Sequence, residues 1–529
     1  MEREYIVVVK RGVDLDAFDA ELAATTGMGP IPNRNVEVAN PRIGSKRMTH
    51  WMLTDEEAEV LKGDLRVLDV EIPPEQRDDV VMVSHATQED TFYRSIDGTT
   101  PTVNSYVNWG LRRCNETSNV YGSNNTVAGN YDYALDGTGV DVVIQDSGID
   151  PDHPEWNDAS GTSRLQQIDW YTESGLPGTQ SADHYRDRDG HGTHCAGIVA
   201  GKTYGWAKGA NIYSQKVAGL ETLSGPDGTG IAVSDAFDAI RLWHNAKKLT
   251  NGRPTVVNMS WGYSSTSTSD PTEGTYRGTA WTYGVDYTSR GELLTATGVH
   301  PAYYQGGTQT RLPVRIASID AEVEDMIDAG IHVCIAAGNQ LTKIDINGGS
   351  DFDNEVTFDG NSVNYHRGSS PFSNEAFIVG NIDSEVNAGG VDRTALSTNR
   401  GPGVNIFAPG TNIMSTTSTQ ADASYTVLDY PDDNNFQIMA IGGTSMAAPQ
   451  VAGVCALYLQ VQPNLRPNAL QNKMLSDASV DNIWDTGNDD DYTNFTTSML
   501  DGPNKTLYSK YGTPTPWVLG GTINISGGS

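Results

Sequence analysis

From residue 139 to residue 475 the chain repeats one alternation, a short apolar run followed by a longer segment with apolar residues at helical spacing. Val140–Ile144, Asn211–Val217, Thr255–Met259, Ile331–Ala336, Phe377–Val379 and Val404–Phe407 read as strands. Ile231–Leu249, Ile319–Ala329, the run from Ser445 to about Gln460, and Asn468–Leu475 read as helices. This repetition commits the chain to an α/β fold, a parallel sheet with helices on both faces, because parallel neighbours require a crossover and each crossover helix covers a face. Only Asp141 interrupts the apolar character of Val140–Ile144, as expected for a strand covered on both sides. Sheets of this kind carry ligands and chemistry at the C-terminal ends of their strands.

Three segments put reactive side chains at such positions. Asp146 closes the first strand, in Gln145-Asp146-Ser147-Gly148-Ile149-Asp150. His191 opens an apolar helix, in Asp189-Gly190-His191-Gly192-Thr193-His194-Cys195-Ala196-Gly197. Ser445 opens another, in Gly443-Thr444-Ser445-Met446-Ala447-Ala448-Pro449. Each has a plainer reading by itself: an Asx-turn for Asp146, a buried structural residue for either histidine, a helix cap for Ser445. Two histidines in four residues also suggest metal, but a third close ligand is missing.

Together their chemistry is complementary. Serine is a poor nucleophile until a base takes its proton. Histidine titrates near neutrality and can serve first as that base and then as the acid for the leaving amine. A buried carboxylate fixes the imidazole tautomer and stabilises the imidazolium. An oxyanion formed on the way needs donors. Asn339, after Ala336-Ala337-Gly338 at a strand end, offers a side-chain amide; the backbone N–H of Ser445, at a helix N-terminus, offers a second.

These four motifs, in the order Asp, His, Asn, Ser, resemble the subtilase family of serine endopeptidases over roughly 107–475. The resemblance implies the subtilisin-like three-layer fold, Asp146, His191 and Ser445 as the triad, and Asn339 in the oxyanion hole. The short link from His194-Cys195-Ala196-Gly197 to Lys202–Lys208 is most similar to the proteinase K branch. It implies Cys195 beneath the histidine, either as a reactive thiol or as packing. It further implies that Ser260-Trp261-Gly262 and Ala336-Ala337-Gly338 wall the substrate pocket, with the Gly225–Gly230 loop at the outer subsites. An extended polypeptide substrate would pair there as an added strand. No cofactor is implied for the chemistry. A structural Ca²⁺ is implied at Asp383, with carbonyls near Pro371; a solvated surface aspartate is the alternative.

Residues 1–75 read as a separate small α+β unit: strands at Tyr5–Lys10, Thr49–Leu53 and Val67–Ile72, helices at Leu15–Thr25 and from Thr54 to about Lys62. Thr54 and Glu57 form a capping-box pattern and Gly63 a stop signal. Read from the residues, this is a small binding domain. Tyr5-Ile6-Val7-Val8, Leu53–Glu59 and Val67–Glu71 are similar to the subtilisin propeptide, a ferredoxin-like unit. That implies an intramolecular chaperone and inhibitor. The polar stretch 76–107 then reads as a linker holding the processing region, 108–480 as the catalytic domain with polar insertions at 263–313 and 341–372, and 481–529 as an extension.

The 67 acidic against 35 basic residues, a formal charge of −32, argue against nucleic acid or an anionic membrane as partner and suggest a saline setting or bound cations. No apolar run is long enough to span a bilayer, and the N-terminus has no secretory h-region, so the compartment stays open. Cys114, Cys195, Cys334 and Cys455 lack metal-ligand spacing and read as buried apolar residues. The alternatives to a self-inhibited protease are a processing protease tethered in an assembly such as a virion, and a non-catalytic structural protein on a subtilase scaffold.

Overall fold

The structure, a computed structural model, describes residues 2–24, 30–31, 34–77, 79–84, 108–119, 133–180, 185–217, 230–299, 310–387, 389–421, 426–487, 498–511, 518–519 and 521–522. The N-terminal unit runs β1 (Arg3–Val9), α1 (Leu15–Leu22), β2 (Val38–Asn40), β3 (Met48–Leu53), α2 (Asp55–Lys62) and β4 (Val67–Glu71). Its antiparallel sheet has the order β2-β3-β1-β4. The short edge strand β2 was not evident from sequence pattern. The capping box forms: Thr54 Oγ1 accepts from the Glu57 N–H at 3.3 Å, and Glu57 Oε2 accepts from the Thr54 N–H at 2.9 Å. Gly63 does end α2, but at φ −78°, so a right-handed stop rather than a left-handed one closes the helix.

The apolar run of β1 is explained by burial on both faces. Tyr5, Val7 and Val9 enter the unit's own core with Phe18, Leu22, Trp51 and Leu61. Ile6 and Val8, on the opposite face, pack with Met48 against Ala321 of the main body. Each such aliphatic side chain contributes about 1.5–3 kcal/mol when taken out of water.

After it come β5 (Val80–Ser84), α3 (Trp109–Arg113), β6 (Asp141–Asp146), β7 (Leu165–Gln166), α4 (Trp170–Ser174), α5 (His191–Ala200), β8 (Asn211–Lys216), α6 (Val233–Lys248), β9 (Thr255–Met259) and β10 (Trp261–Ser267). The chain continues through β11 (Glu273–Tyr276), β12 (Thr279–Thr282), α7 (Arg290–Thr297), β13 (Thr310–Pro313), α8 (Ala317–Ala329), β14 (His332–Ala336), β15 (Glu355–Phe358), β16 (Asn361–Asn364), β17 (Phe377–Val386) and β18 (Asp392–Thr394). Then come β19 (Ile406–Pro409), β20 (Ile413–Thr417), β21 (Leu428–Tyr430), β22 (Asp433–Ile441), α9 (Thr444–Val461), α10 (Pro467–Asp477), β23 (Ser479–Val480) and β24 (Lys505–Thr506), followed by the short hairpin β25 (Val518–Leu519) and β26 (Gly521–Thr522).

The central sheet has the order β23-β24-β19-β17-β14-β9-β6-β8-β7, parallel from β7 to β24. The chain leaves β6 for β8 on one side and reaches β9 on the other, so the order reverses beside β6 and opens a crevice at its C-terminal end. Helices lie on both faces: α5 packs on α9, and α4 and α8 pack on α6. The N-terminal unit rests on α8. Glu71 accepts from the first free N–H groups of that helix, Ala317 at 3.1 Å and Ser318 at 2.9 Å, and Arg42 donates to Glu322 at 2.8 Å and Asp238 at 3.2 Å.

Three expectations change. Part of the 76–107 linker is a strand: β5 lies antiparallel on β10, with β13 on the other side of β10. Residues 85–107 lie outside the described residues. The two insertions are one feature, since β11 and β12 from the first and β15 and β16 from the second form one sheet, β12-β11-β15-β16. Ala408-Pro409-Gly410 reads from the residues alone as a turn, but Ala408 and Pro409 belong to β19, opposite Asn381 and Ile382 of β17. The four cysteines are buried and free. No described helix is long and apolar enough to cross a membrane.

Candidate active site

Asp146 ends β6 and His191 begins α5, and both are buried. The Nδ1–H of His191 donates to Asp146 Oδ1 at 2.7 Å, and the Ser147 N–H donates to the same oxygen at 2.7 Å. The helix reaches the strand end this closely because residue 192 is glycine: a Cβ there would collide with the Gly148 carbonyl and lie 3.1 Å from Asp146 Cβ. Burial alone would lower the His191 pKa, but the Asp146 carboxylate, aided by Asp189 and Asp187, outweighs it and the net shift is upward. His194 differs. Its Nε2–H donates to the carbonyls of Ile413 and Met439, both at 3.1 Å, and burial drives its pKa to about 3. With Nε2 held by two backbone carbonyls, His194 takes the buried structural role.

Ser445 is the second residue of α9 and fully buried. Pro449 stands four positions on, where an N–H would ordinarily bond the Ser445 carbonyl. Because proline has none, that carbonyl accepts instead from Ser260 Oγ at 2.9 Å and Cys195 Sγ at 3.5 Å. Ser445 Oγ in turn donates to the Ser260 carbonyl at 2.9 Å. The Nε2 of His191 is buried and makes no hydrogen bond among the described residues. Cys195, one turn below His191, has atoms within 4.8 Å of both His191 and Asp146, and burial raises its thiol pKa well above normal.

Asn339 is nearly buried. Its Oδ1 accepts from both the N–H and the Oγ1 of Thr444, each at 3.1 Å, and Thr444 Oγ1 accepts from the Gly338 N–H at 3.1 Å. These bonds fix the amide plane next to Ser445. Ala336, Ala337 and Gly338 leave the end of β14, held by Asn399, whose Nδ2 donates to the Ala337 carbonyl at 2.9 Å and whose N–H donates to the Gly338 carbonyl at 2.9 Å. Ser260 joins β9 to β10, whose first two residues are Trp261 and Gly262. The Trp261 ring packs inward against Phe237 and Tyr263, so this stretch offers only backbone outward. That backbone carries β5, with Gly262 opposite Val83 and Trp261 opposite Ser84. Of the Gly225–Gly230 loop, residues 225–229 lie outside the described residues.

The calcium expectation at Asp383 does not fit the residues present. Both carboxylate oxygens are engaged, Oδ2 by the Arg393 guanidinium at 2.8 Å and 3.0 Å and Oδ1 by the Glu385 N–H at 3.2 Å. A guanidinium already supplies the positive charge, which the sequence spacing did not reveal.

The profile of the subtilase family matches residues 137–504. The chain belongs to the subtilase family. It is 28% identical over 382 residues to the subtilisin-like serine protease Cur l 4.0101 of Cochliobolus lunatus, covering 71% of this chain and 54% of that one. It is 26% identical over 406 residues to alkaline protease 2 of Aspergillus fumigatus, covering 74% and 60% respectively. This subtilase therefore spans little more than half the length of these relatives. Among solved structures, fervidolysin from Fervidobacterium pennivorans, a keratinolytic enzyme related to subtilisin, superposes with a TM-score of 0.51 at 18% identity, over 100% of this chain and 62% of that one, a likeness of fold alone. Sequence reading missed the roles of Thr444, Pro449 and Asp187 in this subtilase. The available signals were a proline inside a helix-forming run and an aspartate three residues before the glycine at the N-cap of α5.

Proposed function

We propose that this subtilase is a serine endopeptidase that hydrolyses peptide bonds through Asp146, His191 and Ser445, and that it is made as a self-inhibited zymogen. The single observation that carries the catalytic reading is the buried 2.7 Å bond from His191 Nδ1 to Asp146 Oδ1, which leaves Nε2 as the basic atom. Ser445 Oγ leaves the Ser260 carbonyl, gives its proton to Nε2 and attacks the substrate carbonyl carbon. The resulting oxyanion takes hydrogen bonds from the Asn339 amide and the Ser445 N–H. Collapse breaks the C–N bond, with Nε2 returning the proton to the leaving amine. Water, deprotonated by the same nitrogen, then releases the acyl group and regenerates Ser445. The reading needs no cofactor.

The zymogen reading is supported by β5, which continues from the N-terminal unit onto the edge of β10, where an extended polypeptide substrate would pair. Residues 1–75 act as the inhibitor, and β5 as the segment that fills the cleft.

A serine-reactive fluorophosphonate followed by intact mass tests both readings. We expect one adduct on the wild type, none on Ser445→Ala, and loss of the N-terminal segment from the wild type only. A wild type that neither labels nor trims overturns them.

A further inference from the structure

The first turn of α5 lacks the usual cap. Its N-cap is Gly190, at φ 86°, with no side chain to satisfy the free N–H groups. Asp187 replaces it from three residues upstream. Its Oδ1 accepts from the Gly190 N–H at 2.8 Å and the Asp189 N–H at 3.2 Å; its Oδ2 accepts from the Thr193 N–H at 2.8 Å and Thr193 Oγ1 at 2.5 Å. Asp187 also accepts from Ser147 Oγ at 2.9 Å, and that hydroxyl accepts from the Gly192 N–H at 2.9 Å. Ser147 follows Asp146 directly, and Gly192 follows His191 directly. One buried carboxylate therefore ties the residue beside the triad aspartate to the residue beside the triad histidine.

We propose that Asp187 is a positioning residue for the reaction, holding His191 against Asp146 through Ser147 and the first turn of α5 while its negative charge offsets the positive end of that helix. The proposal rests on the triad reading above. Its electrostatic part follows from His191 sitting on a helix N-terminus, whose dipole disfavours an imidazolium. The groups facing His191 are Asp146 from β6, Asp187 and Asp189 from the preceding loop, and His194 and Cys195 from α5. Lys216, at the end of β8, is turned to the Arg186 carbonyl at 2.6 Å. Burial raises the Asp187 pKa to about 6, so it is ionised where His191 works as a base.

Asp187→Asn keeps the size but puts an amide donor among five donors and removes the charge. The test is the rate of Ser445 phosphonylation in the full chain between pH 5 and 9, with Ser445→Ala as blank and thermal unfolding as the check on folding. We expect Asp187→Asn to react at least tenfold more slowly and the midpoint of its pH–rate curve to fall by half a unit or more, since the imidazolium loses a nearby anion. Ser147→Ala, which breaks only the bridge, should slow the reaction about threefold or more with a smaller shift of midpoint. It answers the question even if Asp187→Asn does not fold. A folded Asp187→Asn with an unchanged midpoint, or a Ser147→Ala with an unchanged rate, overturns the proposal and leaves the triad reading intact. Absence of wild-type labelling overturns the triad reading instead.

Discussion

Ser445 and Ser260 are bonded to each other twice: Ser445 Oγ donates to the Ser260 carbonyl at 2.9 Å, and Ser260 Oγ donates to the Ser445 carbonyl at 2.9 Å. The second bond exists because Pro449 withholds the helical donor. The first keeps the proposed nucleophile on the Ser260 carbonyl rather than on His191. β5 pairs with β10 as far as Trp261, and a substrate strand continued by one residue would lie next to Ser260 and offer its backbone N–H to that carbonyl. Binding of extended substrate would therefore free Ser445 Oγ to turn to His191. A peptide N-methylated at the residue before the scissile bond should lose turnover, with kcat falling about tenfold or more, a loss of about 1.4 kcal/mol in transition-state stabilisation. Steady-state kinetics on the matched pair of peptides measures it; a fall confined to binding would contradict this account.

Asn339→Ala should lower kcat by roughly 10²–10³ while KM holds, the range for loss of one oxyanion donor. The Thr444 bonds to Asn339 Oδ1 make Thr444→Val a milder version of the same defect, because it removes one of the two groups that orient the amide.

The pH dependence follows from His191. Its pKa is raised above 6.5 in the folded protein, so the neutral base is lost as pH falls through that raised value. The acid limb of kcat/KM should therefore have its midpoint above 6.5. Asp146→Asn removes the group chiefly responsible for the rise, so the limb should move down, with kcat reduced on the order of 10⁴-fold.

Replacing Val80–Ser84 by a glycine–serine linker should raise the rate at which the full chain reacts with a small fluorophosphonate, by about tenfold or more, because a flexible segment pays more entropy to lie on β10. An unchanged rate would mean β5 does not limit access to Ser445.

Arg113 and Asp392 form a wholly buried pair at 2.6 Å that joins α3 to the strand beside β17. Arg113→Ala should destabilise the protein by about 3–5 kcal/mol, since it leaves the Asp392 charge buried and unpaired. Arg113→Ala with Asp392→Ala should recover much of that loss in a denaturant titration.

Short-range pattern was legible before any coordinates. The strand–helix alternation gave the α/β sheet, the Thr54–Glu57 box started α2, and the β-branched run from Tyr5 announced β1. The four motifs brought Asp146, His191, Asn339 and Ser445 forward as one set, because each lies at a strand end or helix start that periodicity locates. What those residues touch became visible in three dimensions. The tertiary structure laid β5 on β10, merged the two insertions into one sheet, gave Asp383 to Arg393, made Asp187 the cap of α5, and turned Ser445 to Ser260. Each of these is a hydrogen bond or ion pair whose partner is chosen by proximity after folding, and neither residue type nor local period specifies a partner that distant chain segments supply.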